Sequence, residues 1–124
     1  MHYLTIDQVL EINAEMMGGR HALRDRALLE SAVARPQASA FGVDAYPDLV
    51  SKAAALLHSL VLNHAFVDGN KRTAVLSTLV FVDLNGCEIR WDQQEALKFL
   101  LRLADHQLEL DDVIAFLRDR MHRK

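Results

Sequence analysis

Apolar residues recur at helical spacing along most of the chain, and the polar breaks between the repeats divide it into six helices. Val9, Leu10, Ile12 and Met16 form the first stripe, opened by the capping-box pattern Thr5-Ile6-Asp7-Gln8 and closed by Gly18-Gly19. Asp25 is placed to cap a second helix that runs through Ala34, with Pro36 stopping it. A third helix is expected from about Asp48 to Asn63 and a fourth from about Asn70 to Leu84, ended by Asn85-Gly86. These two are apolar nearly all round, so they are expected to form the centre of the bundle. Asp92-Gln93-Gln94-Glu95 caps a fifth helix to about Ala104, and Asp111 or Asp112 opens a sixth that reaches Arg120 or beyond. Residues 36–47 carry Pro36, Gly42 and Pro47 and alternate poorly, which predicts a loop or short extended flap. Residues 87–91 are a short extended stretch at most. There is no internal repeat, low-complexity tract or linker, so the pattern predicts a single all-α domain spanning residues 1–124.

Composition narrows this picture. At 124 residues, 51% apolar and 25% charged, the chain can bury one core. A net charge of −3 provides no global basic field, so no direct nucleic-acid partner is expected. Arg118, Arg120, Arg123 and Lys124 read as the solvated end of the last helix, where cations suit the dipole. Cys87 is the single cysteine, which excludes an internal disulfide and fits a reducing, cytoplasmic compartment; it reads as a small hydrophobe. Met1-His2-Tyr3 lacks the basic start of a signal peptide. The apolar run Ala53–Leu62 is too short to span a bilayer and contains His58, so no membrane partner is expected. His58 itself reads as a core histidine; its six-residue separation from His64 is poor spacing for a helical metal pair.

The chemistry concentrates in His64-Ala65-Phe66-Val67-Asp68-Gly69-Asn70-Lys71-Arg72-Thr73-Ala74. A possible base, a carboxylate, a Gly-Asn turn and two adjacent cations stand between two apolar helices. The helix starting near Asn70 would direct free backbone N–H groups and its positive dipole end at whatever the loop holds. Lys71 adds a point charge and Arg72 a planar fork. Gly69 can take positive φ, letting successive N–H groups face an anion. The pattern predicts a phosphate site with a histidine beside it. The run 69–73 only faintly mimics a P-loop: it lacks the first glycine and follows a helix rather than a strand. Each residue also has a plainer reading: Asp68 as a helix cap, Lys71-Arg72 as a solvated pair, His64 as a surface histidine.

His64-x-Phe66-x-Asp68-Gly69-Asn70-Lys71-Arg72 resembles the signature of the Fic/Doc family, and the lysine at position 71 makes it most similar to the death-on-curing toxins of that family. Leu23-Arg24-Asp25, Leu28-Leu29-Glu30-Ser31-Ala32, Arg35-Pro36-Gln37 and Tyr46-Pro47-Asp48-Leu49 extend the likeness over nearly the whole chain. The resemblance implies a six-helix Fic-type bundle and a toxin of a type II toxin–antitoxin system. It implies a protein kinase that uses ATP and Mg²⁺ to phosphorylate a hydroxyl of elongation factor Tu, so halting translation, and a Phd-type antitoxin that neutralises it. By position, it implies that His64 acts as base or aligner, that Asp68 handles metal or orients the hydroxyl, and that Gly69 and Asn70 wrap phosphates. Lys71 and Arg72 would clamp phosphates and Phe66 would anchor the loop. No Ser/Thr-x-x-x-Glu-Gly/Asn inhibitory pattern occurs, so inhibition is expected from an antitoxin helix laid in a groove beside the flap. Val75 stands where nucleotidyl-transferring members have a second arginine, and Lys71 replaces their glycine. Both argue against the alternative of AMP transfer. A non-catalytic nucleotide- or partner-binding module is the other alternative, although no position of the motif is degenerate.

Overall fold

A computed structural model describes residues 1–124. Six helices are present: α1 (Ile6–Met16), α2 (Arg26–Ala34), α3 (Leu49–Leu62), α4 (Asn70–Leu84), α5 (Gln93–Ala104) and α6 (Leu110–Arg118). Two small antiparallel ladders complete the fold: β1 (Ser39–Ala40) with β2 (Val43–Asp44), and β3 (Cys87–Ile89) with β4 (Met121–Arg123).

The helix starts follow from local hydrogen bonding. Thr5 and Gln8 satisfy each other's backbone N–H groups at the start of α1, and Asp48 and Ser51 do the same for α3. The Ser51 hydroxyl and backbone N–H hold the Asp48 carboxyl below its ordinary range, with a further contribution from Arg118. At α5 only half of the predicted box forms: Asp92 accepts from the Glu95 backbone.

α3 is the axis of the molecule. Ten of its fourteen residues, Ser51–Leu57 and Ser59–Val61, are buried, and it packs against α2, α4, α5 and α6. α4 does not share that role. It buries only Thr73, Ala74, Ser77, Thr78, Phe81 and Val82, while Leu76, Val80 and Leu84 stay exposed. The expectation of two all-round apolar helices is therefore corrected: serine and threonine lie on the inner face of α4, and several of its aliphatics lie outside.

The chain's end also differs from the sequence reading. α6 opens one turn's edge earlier, with Glu109 as its cap, and stops at Arg118; residues 121–123 then form β4. Asp119 N–H and Arg120 N–H close the helix, and Arg90 N–H donates to Arg120 O at 2.7 Å, starting the ladder against β3. The basic tail is not a solvated helix end. Arg120 pairs with Glu95 and lies 3.8 Å over the Phe116 ring, and Lys124 pairs with Asp83. Cys87 is half-buried in β3, packed against the core.

Residues 36–47 form a 3₁₀ turn at Arg35–Gln37 followed by the β1–β2 hairpin, so the expected flap is present. No helix is long and apolar enough to cross a membrane.

Candidate active site

The loop between α3 and α4 is held by neighbours on both sides. Ala65 O accepts the backbone N–H groups of Arg24 (2.8 Å) and Asp25 (3.0 Å), and Val67 N–H donates to Ala22 O at 2.8 Å. Leu23 and Phe66 form a single antiparallel bridge. Phe66 is buried in the core. The Asn70 side chain closes the loop from inside, donating to Phe66 O at 2.8 Å and accepting from Phe66 N–H at 3.0 Å. Its carbonyl oxygen and one of its two amide N–H groups are therefore committed to the loop, while its backbone N–H has no protein acceptor.

Buried Asn13 supports the same loop from α1. It donates to Asp68 O at 3.3 Å and to Thr73 Oγ1 at 3.0 Å, and accepts from Ala22 N–H at 2.8 Å. Gly69 sits at φ +78, and a Cβ there would come within 3.3 Å of Asn13 Nδ2 and Met17 Sδ. The left-handed conformation favours glycine, and any added Cβ would also have to displace these two side chains by a few tenths of an ångström.

Gly69 is the N-cap of α4, and no side chain caps the helix. Thr73 N–H finds Gly69 O, but the N–H groups of Asn70, Lys71 and Arg72 have no protein acceptor. Free amide donors and the positive dipole end thus open onto one cleft of about 300 Å³, lined by His64, Asp68, Gly69, Asn70, Lys71 and Arg72, with Val61, Val67 and Ala104 as apolar walls. Asp68 does not cap the helix; its Oδ1 accepts from Gly69 N–H at 2.8 Å and its side chain remains exposed. His64, Lys71 and Arg72 are also exposed, without ion pairs to other side chains. His64 has φ +51, a left-handed conformation uncommon for any residue with a Cβ. The cleft thus gathers one imidazole, one carboxylate, two cations and free backbone N–H donors within a single opening.

No group of three or more His, Cys, Asp or Glu side chains gathers anywhere in the chain to hold a metal. Asp68 keeps one carboxylate oxygen outside its Gly69 bond, and Mg²⁺ is commonly held by one or two carboxylates together with substrate phosphates. The donor set fits a magnesium ion that arrives with a nucleotide.

A second groove, of about 380 Å³, adjoins the cleft and shares Lys71 and Arg72 as its wall. Its floor is Met16 of α1, Val75 and Leu76 of α4, and Leu97 and Leu100 of α5. It contains no residue of the 36–47 segment, so the apolar groove is not beside the flap as expected. The hairpin itself carries Phe41 fully exposed at its tip. It is tethered by buried Lys52, whose Nζ lies 3.2 Å from Pro36 O and 3.4 Å from Asp44, and by Arg35, which donates to the Tyr46 hydroxyl at 2.9 Å. Arg35 also meets His58 Nδ1 and Ser59 Oγ, each at 2.8 Å. His58 is half-buried rather than a core residue, and partial burial followed by the Arg35 charge pushes its pKa below the ordinary value.

Sequence reasoning assigned no role to Asn13, Lys52 or the Arg24 side chain. Asn13 had a signal: it falls four residues after Val9, on the face of α1 that is otherwise apolar, and Lys52 interrupts the apolar α3 in the same way.

A Fic/DOC family profile matches residues 3–82. The chain is 45% identical over 115 residues to "Toxin Doc" of Mycolicibacterium smegmatis, covering 91% of this chain and 88% of that protein. It is 26% identical over 121 residues to "Protein kinase doc" of Escherichia phage P1, covering 95% and 94%.

Proposed function

Since the chain belongs to the Fic/DOC family, we propose that it is the toxin of a type II toxin–antitoxin pair and a protein kinase that transfers the γ-phosphoryl group of ATP to a Ser or Thr hydroxyl. The observation that carries this reading is the uncapped start of α4, with Lys71 and Arg72, in one cleft with His64. In this reading Lys71 and Arg72 hold the terminal phosphates, together with the free N–H groups of the first turn. His64 accepts the proton of the target hydroxyl, whose oxygen bonds the γ-phosphorus as the bond to the bridging oxygen breaks and ADP leaves. General-base help of this kind is worth about 10²–10⁴-fold. Asp68 would hold Mg²⁺, which supplies charge neutralisation at the phosphates. The substrate is a cytoplasmic translation factor, elongation factor Tu, presented by the flap through exposed Phe41.

The antitoxin is a Phd-type chain whose amphipathic helix fills the groove of Met16, Val75, Leu76, Leu97 and Leu100. An occupant there would lie directly against Lys71 and Arg72.

Incubation with ATP labelled separately at the α- and γ-phosphates tests the reading. The expected result is γ-label on the target, none in His64→Ala, and an unchanged melting temperature for that variant. Transfer of the α-label instead would replace phosphorylation by AMP transfer.

A further inference from the structure

We infer that Arg24 is a positioning residue for His64, holding the histidine in the backbone conformation from which its ring lines the cleft. Arg24 Nε donates to His64 O at 2.9 Å and its Nη2 to the same oxygen at 2.5 Å, across 40 residues of sequence. That carbonyl belongs to the one loop residue with a side chain and a positive φ, +51. A left-handed histidine persists only where its surroundings over-determine it. Here the flanking backbone bonds fall on Ala65 and Val67, and Phe66 is closed by Asn70, whereas His64 O has only the guanidinium. The fork geometry matters: two donors on one oxygen fix the direction of the carbonyl as well as its distance, which a single ammonium cannot do.

Arg24 occupies the segment between α1 and α2, and that segment is itself seated by Asn13 through Ala22 N–H. The two supports act differently. Asn13 is buried and carries loop and fold together, while the Arg24 side chain is exposed and touches the loop at one carbonyl, the backbone bond from Arg24 N–H to Ala65 O being independent of it. Loss of Arg24 therefore leaves the bundle intact and frees the His64 peptide.

The inference rests on the reading of His64 as the base, and the experiment separates the two. Purified Arg24→Ala and Arg24→Lys are compared with wild type for γ-label transfer, for thermal melting, and for the His64 ring resonances by NMR, which need no turnover. Arg24→Ala should lower kcat by about tenfold to a hundredfold, as for a displaced reacting group, with KM for ATP within about twofold and melting unchanged. Arg24→Lys should be intermediate, guanidinium ion should restore part of the Arg24→Ala rate, and the His64 resonances should shift or broaden. Unchanged kcat, or a loss residing in KM for ATP, would overturn the inference; the latter would make Arg24 a nucleotide contact. Where wild type transfers no γ-label, the kinase reading fails and the NMR arm alone decides: unaltered His64 resonances in Arg24→Ala overturn the positioning role, and altered ones uphold it.

Discussion

Two loops of this molecule carry exposed functional groups, and they are built on opposite principles. Between His64 and Asn70, the backbone is tied to the segment 22–25, to Asn13 and to Asn70, while His64, Lys71 and Arg72 stay free. The β1–β2 hairpin has only two residue pairs, all four residues exposed, and its tethers are the side chains of Lys52 and Arg35. If the first loop carries the reacting groups, as proposed, they must be held within fractions of an ångström, and hydrogen bonds on the loop's own backbone serve that end. The hairpin has few buried contacts, so its local stability is low, which suits the target-presenting role proposed for it. Proximity in sequence does not decide which regime applies; the number of independent ties per backbone group does.

The largest effect should come from loosening the rigid loop. Asn70→Ala removes both bonds to Phe66 and should reduce phosphoryl transfer by about a hundredfold or more, measured with γ-labelled ATP. Survival of most of the rate would erase the contrast between the two loops.

Next is Asn13→Leu. It leaves Ala22 N–H, Asp68 O and Thr73 Oγ1 without their Asn13 partner, the last in a buried setting and the other two partly buried, and should cost about 2–4 kcal/mol in urea unfolding. A cost near zero would show that the loop does not depend on α1.

A smaller effect is expected from Lys52→Met. The apolar replacement leaves Pro36 O without its donor, while the exposed Asp44 carboxylate returns to water, so global stability should fall by about 1–2 kcal/mol. Amide exchange in residues 39–44 should accelerate, and KM for the protein target should rise while kcat holds. Equal exchange in wild type and variant would mean that the hairpin is held some other way.

The smallest effect is on pH. His58 has a pKa below its ordinary value in the folded chain, so the unfolded chain binds the proton more readily. Its contribution to stability is complete above about pH 6.5 and declines as the pH falls toward the lower folded value. Arg35 and His106 oppose the protonated ring, and Glu109 favours it. Acidification should loosen the Arg35 tether and speed hairpin exchange, and His58→Gln should flatten that dependence.

What the sequence determined by itself is the set of features governed by neighbours within a few residues. Thr5 with Gln8 and Asp25 with Leu28 close within one turn, so helix starts followed from residue type alone. The α4 bounds, the Gly69 turn and the clustering of His64, Asp68, Lys71 and Arg72 at one cleft are local in the same sense. Tertiary structure alone decided the rest. β4 forms because β3 offers it a partner more than thirty residues away, overriding the helical reading of Arg120–Lys124. Of the polar side chains on the inner face of α4, Thr73 is met by Asn13 from α1, a contact between residues sixty positions apart. Arg24 meets His64 only after the two segments are packed side by side. Periodicity records which face of an element is buried, but not which distant group will meet it. That choice belongs to packing, where one carbonyl and one guanidinium find each other through the path of the whole chain.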